Sequence, residues 1–440
     1  ADALPQAASA CSSNRVRSPQ ILPSMSAEPE TKKLKTDDGS AAPARKMYVT
    51  VVGGGNSTPI FAALAKLAGH DVAVLTRKPE SWSKTIGFVN EDSGYLDGQE
   101  KLEAEIDLVT SDPAECIPQS DMIFIAGLPI HHNPAVLKSI APHLDREKKV
   151  FVGSICAYGG FNWVAADALG PGEYVIFGTQ LIPWCCGTKE YGKTGVVFGA
   201  KRMLRIATED GNDEHDVKGL MSEILKIPEL RDTDFIASTL WPNNPSLHPP
   251  ILYGLFKDWD GESPYDKEKL PVRIYAELTD ESADALAKLD DDLVNIVDKL
   301  KVFYPDNKHL HEDFRLKACI IENYKEQVKD STDLTSTVKT NTAFASHNVP
   351  YQTVSEGKIV PILAHKFFET DLPFGLCTWK DIANMIDVEV PMVDALIEWN
   401  QKLIKKEYLK DGKVDGKDAG ECILPSAFGL DAKTLDKGRR

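Results

Sequence analysis

Apolar residues between residues 47 and 236 fall into short β-branched runs that alternate with stretches of helical spacing. The runs predict strands at 48–52, 71–76, 86–90, 106–109, 122–127, 149–153 and 174–178. Helical spacing predicts one helix at 59–68, ended by Gly69, and another around 134–143. Strands and helices that alternate in this way are typical of a parallel, doubly wound sheet, so this part of the chain is predicted to be an α/β domain.

The pattern changes after residue 236. Segment 237–262 is rich in proline and aromatic residues, and the chain beyond it has the spacing of amphipathic helices. Two apolar helical faces are formed by Leu286, Leu289, Leu293, Ile296, Val297 and Leu300, and by Met392, Val393, Leu396, Ile397, Leu403 and Ile404. We therefore predict a mostly α-helical second domain at 237–440 that follows the sheet domain at 47–236.

Residues 1–46 differ from the rest of the chain. They are rich in Ala, Ser, Pro and Lys, contain no aromatic residue and show no apolar periodicity. This composition predicts a disordered N-terminal arm outside the fold. The arm has no long apolar core, so a secretory signal is not expected, whereas a trimmed transit segment and an internal start at Met25 both stay open.

Charge and cysteine content narrow the possible partners. The 440 residues carry a formal net charge of -16, and such an acidic surface repels phosphate backbones, so no nucleic-acid partner is expected. No run of about 18 apolar residues is present, so no membrane span is expected. The 8 cysteines include no CxxC pair, which argues against a zinc or disulfide framework and favours free thiols in a reducing, cytoplasmic compartment.

A glycine-rich turn lies between the first predicted strand and the first predicted helix. Gly53 and Gly55 match the first two glycines of the G-x-G-x-x-G fingerprint, and Thr58 stands at the third position. Such a turn lets the backbone approach a pyrophosphate closely, and the following helix N-terminus offers free N–H groups. The turn predicts a Rossmann-type domain that binds a dinucleotide, and a glycine-rich turn without a ligand is the alternative.

Residues near the ends of the predicted strands extend this prediction. Asn56 follows the glycines, where a polar side chain can reach a phosphate. Leu128 and Pro129 follow a later strand beside the expected nicotinamide, with a simple turn as the alternative. Arg77 and Lys78 stand where an acidic residue usually binds the ribose hydroxyls. The residues leave two interpretations open, because Arg77 either binds the 2′-phosphate of NADP or stacks on the adenine of NAD or NADP.

Hydride transfer to a carbonyl or imine needs a proton donor, and histidine suits this role because its pKa lies near neutrality. His248 is the best candidate among the 10 histidines, because it lies at the predicted junction of the two domains, where clefts bind ligands. His131 and His132, near the cofactor loop, are competitors. His309 and His311 lie in a polar stretch without supporting ligands, so no metal site is expected.

The chain resembles the opine dehydrogenases, the octopine dehydrogenase type of invertebrates and its microbial relatives. The resemblance spans about residues 47–430. Its motifs occur in the expected order and are Val51–Asn56 (VVGGGN), Leu181–Cys185 (LIPWC, like LPWAC), Leu247–Gly254 (LHPPILYG, like HPAILFG), Lys366–Gly375 (KFFETDLPFG) and Lys406–Leu409 (KEYL).

The resemblance implies an enzyme that reduces, with NADH, the imine formed from an α-keto acid, usually pyruvate, and an amino acid or taurine. It implies that His248 donates and accepts the proton and that Asp371 holds this histidine. It also favours NAD over NADP despite Arg77. The family has an arginine five residues before the aspartate, and this chain has Lys366, which is expected to bind a substrate carboxylate as a point charge without arginine's bidentate fork.

The sequence therefore predicts an opine dehydrogenase that acts on small-molecule substrates and regenerates NAD during anaerobic glycolysis. One alternative is a hydroxyacid or ketoacid dehydrogenase of the same two-domain plan that needs no amine partner. Another is a nucleotide-sensing binding protein without turnover, for which the replacement of the family arginine by Lys366 is the best support.

Overall fold

The computed structural model describes residues 45–209 and 213–437, and the chain from Arg45 onward forms one compact unit. Of the arm predicted at 1–46, residues 1–44 lie outside the described residues.

The strands of the described residues are, in chain order, β1 (Tyr48–Val52), β2 (Asp71–Leu75), β3 (Thr85–Asn90), β4 (Lys101–Glu105), β5 (Leu108–Thr110), β6 (Met122–Ile125), β7 (Val150–Ser154), β8 (Tyr174–Thr179), β9 (Trp184–Glu190), β10 (Thr194–Ala200), β11 (Met203–Thr208), β12 (Glu229–Thr233), β13 (Tyr265–Asp266), β14 (Tyr351–Ser355) and β15 (Lys358–Pro361). The helices are α1 (Thr58–Leu67), α2 (Asn133–Ile140), α3 (Phe161–Leu169), α4 (Glu214–Leu225), α5 (Phe235–Leu240), α6 (Asn244–Phe256), α7 (Asp280–Phe303), α8 (Leu316–Tyr324), α9 (Leu334–Thr340), α10 (Lys366–Glu369), α11 (Cys377–Met385) and α12 (Pro391–Leu403).

In the described part of the chain, eight strands form the main sheet in the order β12-β11-β8-β7-β6-β1-β2-β5. Six neighbouring strands of this sheet, β8, β7, β6, β1, β2 and β5, pair in parallel, and β11 pairs with β8 antiparallel. The central strands are buried β-branched runs, as expected for a sheet covered on both faces. The predicted Rossmann-type sheet followed by a mostly helical region is confirmed.

Strand β3 departs from the prediction of a single sheet. It pairs with β10 and β4 in a separate four-stranded sheet, in the order β4-β3-β10-β9. The strand predicted at 106–109 is also wrong in its bounds, because Leu108–Thr110 pairs with β2 and Lys101–Glu105 belongs to the second sheet. Local residue pattern indicates a strand but does not indicate its partner, and the partner strands β9 and β10 were not predicted.

From Phe235 onward the described chain is mostly helical, with one small antiparallel sheet in the order β13-β15-β14. The apolar face predicted on α7 is buried, from Leu286 to Leu300, and so are Met392, Val393, Leu396 and Ile397 on α12. The domain division at residue 236 stays a prediction. Among the described helices, none is both long and apolar enough to cross a membrane.

Candidate active site

The glycine turn after β1 fits closely against the backbone that follows β6. A Cβ atom at Gly53 would lie 1.9 Å from the carbonyl oxygen of Ala126, and one at Gly55 would lie 2.3 Å from that of Gly127. Gly127 itself has a φ of 77°, which favours glycine. The turn therefore forms a cradle that any side chain would fill, as expected where a backbone approaches a pyrophosphate.

Thr58, at the third fingerprint position, is accommodated by a specific contact. Its hydroxyl donates a 2.6 Å hydrogen bond to the carbonyl oxygen of Ala126, and the side chain is fully buried. A Cβ atom at Gly127 would lie 2.4 Å from this hydroxyl oxygen. A third glycine normally permits close packing between helix and strand. Here Gly127, on the opposite side of the contact, leaves the space that Thr58 needs.

The other predicted cofactor residues lie around the same turn. Arg77 is exposed after β2, and its charge lies close enough to His132 to lower the pKa of that histidine, after the larger effect of burial. After β6, Leu128 is half-buried and Pro129 is exposed. The Asn56 amide is already engaged, because it donates to a backbone carbonyl of β9 at 3.3 Å and accepts a 2.7 Å hydrogen bond from Thr188 on the same strand. Their cofactor roles stay predictions.

Helix α6 carries His248 and has an unusual backbone. Pro249 and Pro250 follow the histidine directly inside the helix. Neither proline has an N–H to donate to the carbonyls four residues earlier, at Pro245 and Ser246. The helix is almost entirely buried over this stretch, so packing rather than a complete hydrogen-bond ladder holds His248 in place.

Asp371 lies 123 residues after His248 in the chain, at the start of a π-helical turn, Leu372–Leu376. This turn packs tightly on α6, because a Cβ atom at Gly375 would lie 2.1 Å from the Pro245 side chain. A π-helical turn inside a helix is typical of functional sites. The close approach of the two segments brings Asp371 to His248.

His248 and Asp371 form a buried hydrogen-bonded pair. Nδ1 of His248 lies 2.6 Å from Oδ2 of Asp371, and the residues are 4% and 2% exposed. Burial raises the pKa of Asp371 to about 8 and lowers the pKa of His248 well below its usual value. Because a buried site disfavours separated charges, the pair holds one shared proton near neutral pH.

Two further side chains hold the imidazole. The hydroxyl oxygen of Tyr275 lies 2.7 Å from Nε2 of His248, and Tyr275 is buried. The ring of Phe367 stacks on the imidazole with 3.4 Å between ring centroids. Neither residue was predicted from the sequence. Phe367 lies in the Lys366–Gly375 motif, whereas Tyr275 lies in an irregular segment with no motif or periodicity to mark it.

Lys366 lies exposed at the first position of α10, with Nζ 5.8 Å from the centroid of the Phe367 ring. Its charge lowers the pKa of His248 and, against the larger effect of burial, that of Asp371. Lys366 is therefore an accessible cation close to the buried pair, where it can meet an anionic ligand.

The loops at the carboxyl ends of β6 and β7 contact the segment that carries Asp371. His131 stacks on Phe374 at 5.7 Å, and a Cβ atom at Gly159 would lie 2.4 Å from the Phe374 carbonyl oxygen. Tyr158 is close enough for the charge of Asp371 to raise its pKa, after the larger effect of burial. Because ligands of open α/β sheets bind at the carboxyl ends of the strands, the His248–Asp371 pair adjoins the expected nicotinamide position.

Comparison with known proteins adds independent findings. The family model for the α-helical domain of NAD/NADP octopine/nopaline dehydrogenase matches residues 231–404. An opine dehydrogenase from Haliotis discus hannai is 27% identical over 89% of this chain and 98% of the relative. A tauropine dehydrogenase from Arabella iricolor is 28% identical over 89% and 99%.

The chain is similar to opine dehydrogenases over 89% of its length, and its residues 231–404 match the family's α-helical domain. It is an oxidoreductase that uses NAD or NADP, as predicted. A solved structure of octopine dehydrogenase with NADH and L-arginine superposes with a TM-score of 0.77 at 24% identity, covering 90% of this chain and 99% of that one, so the family's fold is present too. Within the described residues, no cluster of three or more potential metal ligands is found.

The comparisons do not assign roles to individual residues, so these are argued from the geometry. His248 and Asp371 are brought together, and Lys366 is placed beside them. His131 and His132 lie at the sheet edge with their rings 4.0 Å apart, and neither pairs with a carboxylate within the described residues. His248 is thus the better candidate for the proton donor, a role that stays a prediction.

Proposed function

We propose that this protein condenses an α-keto acid, with pyruvate as the expected substrate, with an amino acid or taurine and reduces the resulting imine with NADH. The observation that carries the proposal is the buried His248–Asp371 pair beside the carboxyl edge of a sheet with a glycine cradle. The overall reaction consumes a keto acid, an ammonium, NADH and one proton, and yields a secondary-amine acid, NAD and water. A group that exchanges protons near neutral pH is therefore required.

The His248–Asp371 pair meets this requirement. The amine must lose a proton before it attacks the keto carbon, and the departing hydroxyl must gain one as the imine forms. Asp371 fixes Nδ1 of His248, so Nε2 is the nitrogen that exchanges these protons with the substrate. The raised pKa of Asp371, about 8, keeps a proton on the pair under the conditions in which reduction consumes one.

The glycine cradle supports a dinucleotide at this edge of the sheet. When bound, NADH supplies the hydride that reduces the imine carbon. Gly53, Gly55 and Gly127 leave the space for its phosphates, and the N-terminus of α1, where the helix dipole favours an anion, follows this turn directly. We favour NAD over NADP on the family resemblance, with Arg77 as the residue placed to contact the adenosine part.

Lys366 supports an anionic keto acid as one substrate. Its ammonium group is exposed beside the buried pair and offsets the charge of a carboxylate. A lysine makes a point contact instead of the bidentate fork of arginine, so it orients the carboxylate less strictly. We also propose the cytoplasm as the site of action, in keeping with the sequence prediction of free thiols.

The test follows NADH absorbance with pyruvate, with and without glycine, alanine, β-alanine, taurine or arginine, and repeats each assay with NADPH. We expect oxidation that requires both pyruvate and one of the amines, and faster turnover with NADH. Oxidation with pyruvate alone would assign the protein to the hydroxyacid dehydrogenases. NADH binding without turnover across this panel and a wider keto-acid panel would contradict the proposal.

A further inference from the structure

His248 has a hydrogen-bond partner on each ring nitrogen. Asp371 Oδ2 lies 2.6 Å from Nδ1, and the Tyr275 hydroxyl oxygen lies 2.7 Å from Nε2. One face of the ring is covered by Phe367. All four side chains are less than a tenth exposed. The imidazole is therefore fully engaged by protein groups before any substrate arrives.

This arrangement conflicts with direct proton exchange. Each ring nitrogen makes one hydrogen bond in the plane of the imidazole. Asp371 occupies Nδ1, so only Nε2 is available to the substrate, and the Tyr275 hydroxyl already occupies that position. Either Tyr275 passes the proton onward, or it leaves when the substrate binds.

The surroundings of Tyr275 favour the second possibility. Its segment precedes α7 and is neither strand nor α-helix. The ring is held by aromatic contacts, 4.8 Å from Phe344 and 5.6 Å from His347 between centroids. Burial raises the pKa of the phenol well above its usual value, with smaller contributions from Cys185 and Asp371, so a phenolate formed during a relay would be costly.

We propose that Tyr275 is a positioning residue that the substrate displaces: its hydroxyl holds Nε2 of His248 in the free enzyme and gives up this place to the reacting nitrogen or oxygen of the substrate. This inference rests on the proposed function. The hydrogen bond holds the imidazole ring in one orientation and occupies the position at Nε2 that water would otherwise take. It also weakens substrate binding, because one hydrogen bond must break in each binding event.

The test is Tyr275→Phe, which keeps the ring and removes the hydroxyl. Tyr324→Phe is the matched control, because Tyr324 is a buried tyrosine whose ring lies 5.1 Å from Phe344 and whose hydroxyl contacts Cys185 Sγ at 3.3 Å. For Tyr275→Phe we expect KM for pyruvate and the inhibition constant of the opine product to fall about two- to twelve-fold, the factor for one net hydrogen bond. We expect kcat to stay within about two-fold in both variants.

A loss of about 100-fold in kcat with unchanged KM would overturn the proposal in favour of a proton relay. Unchanged KM and kcat in Tyr275→Phe would also overturn it and leave Tyr275 as a packing residue. The control must leave KM unchanged, since an equal fall in Tyr324→Phe would attribute the effect to loosened packing.

A readout without turnover separates this inference from the proposed function. The protein is labelled with 15N-histidine, and the Nε2 resonance of His248 is assigned by its loss in His248→Gln. We expect this resonance to shift in Tyr275→Phe, because Nε2 loses its hydrogen bond to the phenol, and to stay in Tyr324→Phe. An unmoved resonance would refute the contact between Tyr275 and His248. If the resonance moves but the protein shows no amine-dependent turnover, the contact stands and only the proposed function is refuted. If Tyr275→Phe fails to fold, labelled wild-type protein titrated with pyruvate and NADH must show the same resonance shifting as Tyr275 is displaced.

Discussion

Replacement of Asp371 by asparagine tests the proton-transfer pair most directly. The substitution keeps the size of a side chain that is 2% exposed and removes its charge. The asparagine amide can donate as well as accept, so it no longer fixes the proton on Nδ1 of His248, 2.6 Å away. The neutral side chain also gives no charge support to an imidazolium. Because positioned acid–base groups contribute about 10²- to 10⁴-fold, we expect kcat for imine reduction to fall by about that factor.

The assay is steady-state NADH oxidation at saturating pyruvate and amine, beside NADH binding by fluorescence. Asp381→Asn is the matched control, because Asp381 is a buried carboxyl on α11 that accepts a 2.9 Å hydrogen bond from the backbone of Ser426. We expect the control to keep kcat within about two-fold and both variants to keep NADH affinity. Retention of more than about a tenth of wild-type kcat by Asp371→Asn would refute the role of the pair.

The same variant alters the pH dependence. Burial raises the pKa of Asp371 to about 8, so the pair keeps its proton until the pH rises through that value. Reduction consumes a proton, so kcat/KM for the keto acid is expected to fall above about pH 8, while opine oxidation gains over the same range. Asp371→Asn should remove this alkaline limb of the pH profile, that is, the fall of kcat/KM above about pH 8. An unchanged limb in the variant would assign the titration to another group.

The remaining predictions concern the cation and the cofactor turn. Lys366→Met removes a charge that lowers the pKa values of His248 and Asp371, so the fall of kcat/KM at alkaline pH should move to higher pH. KM for pyruvate should also rise about ten-fold. Substitution of the exposed Lys299 by methionine should change neither quantity. Gly55→Ala places a Cβ atom 2.3 Å from a backbone carbonyl oxygen and should weaken NADH binding more than ten-fold by fluorescence titration, while Gly219→Ala, with open space around it, should not. Thr58→Val removes a buried 2.6 Å hydrogen bond at constant shape and should lower the free energy of unfolding by about 1–3 kcal/mol in chemical denaturation; an unchanged midpoint would contradict the importance of this contact.

Much of the fold follows from local pattern. The β-branched runs and the glycine turn place β1, β2, β6, β7 and β8 within one or two residues, because a buried parallel strand needs an apolar run whatever surrounds it. Helix α7 is equally clear, since its apolar residues recur at helical spacing. The sheet that a strand joins, by contrast, does not follow from the local residue pattern. Strand β3 has the composition of a core strand yet pairs with β10, more than one hundred residues later.

For the candidate site, too, the sequence marks the residues but not their arrangement in space. Gly53, Gly55, His248, Asp371 and Lys366 belong to motifs that occur as continuous segments, so the sequence alone marks them. Their distances do not follow from it. His248 and Asp371 are 123 residues apart in the chain, and their hydrogen bond depends on how the π-helical turn packs on α6.

The sequence by itself determined the strands and helices, the dinucleotide turn, the acidic surface and the family resemblance, because each depends on residue type and spacing over short stretches. Only the tertiary structure decided which strands share a sheet, why Thr58 fits beside Gly127 and which group occupies Nε2 of His248. Tyr275 illustrates the reason: its contact arises from the packing of an irregular segment, and no local pattern encodes where such a segment lies.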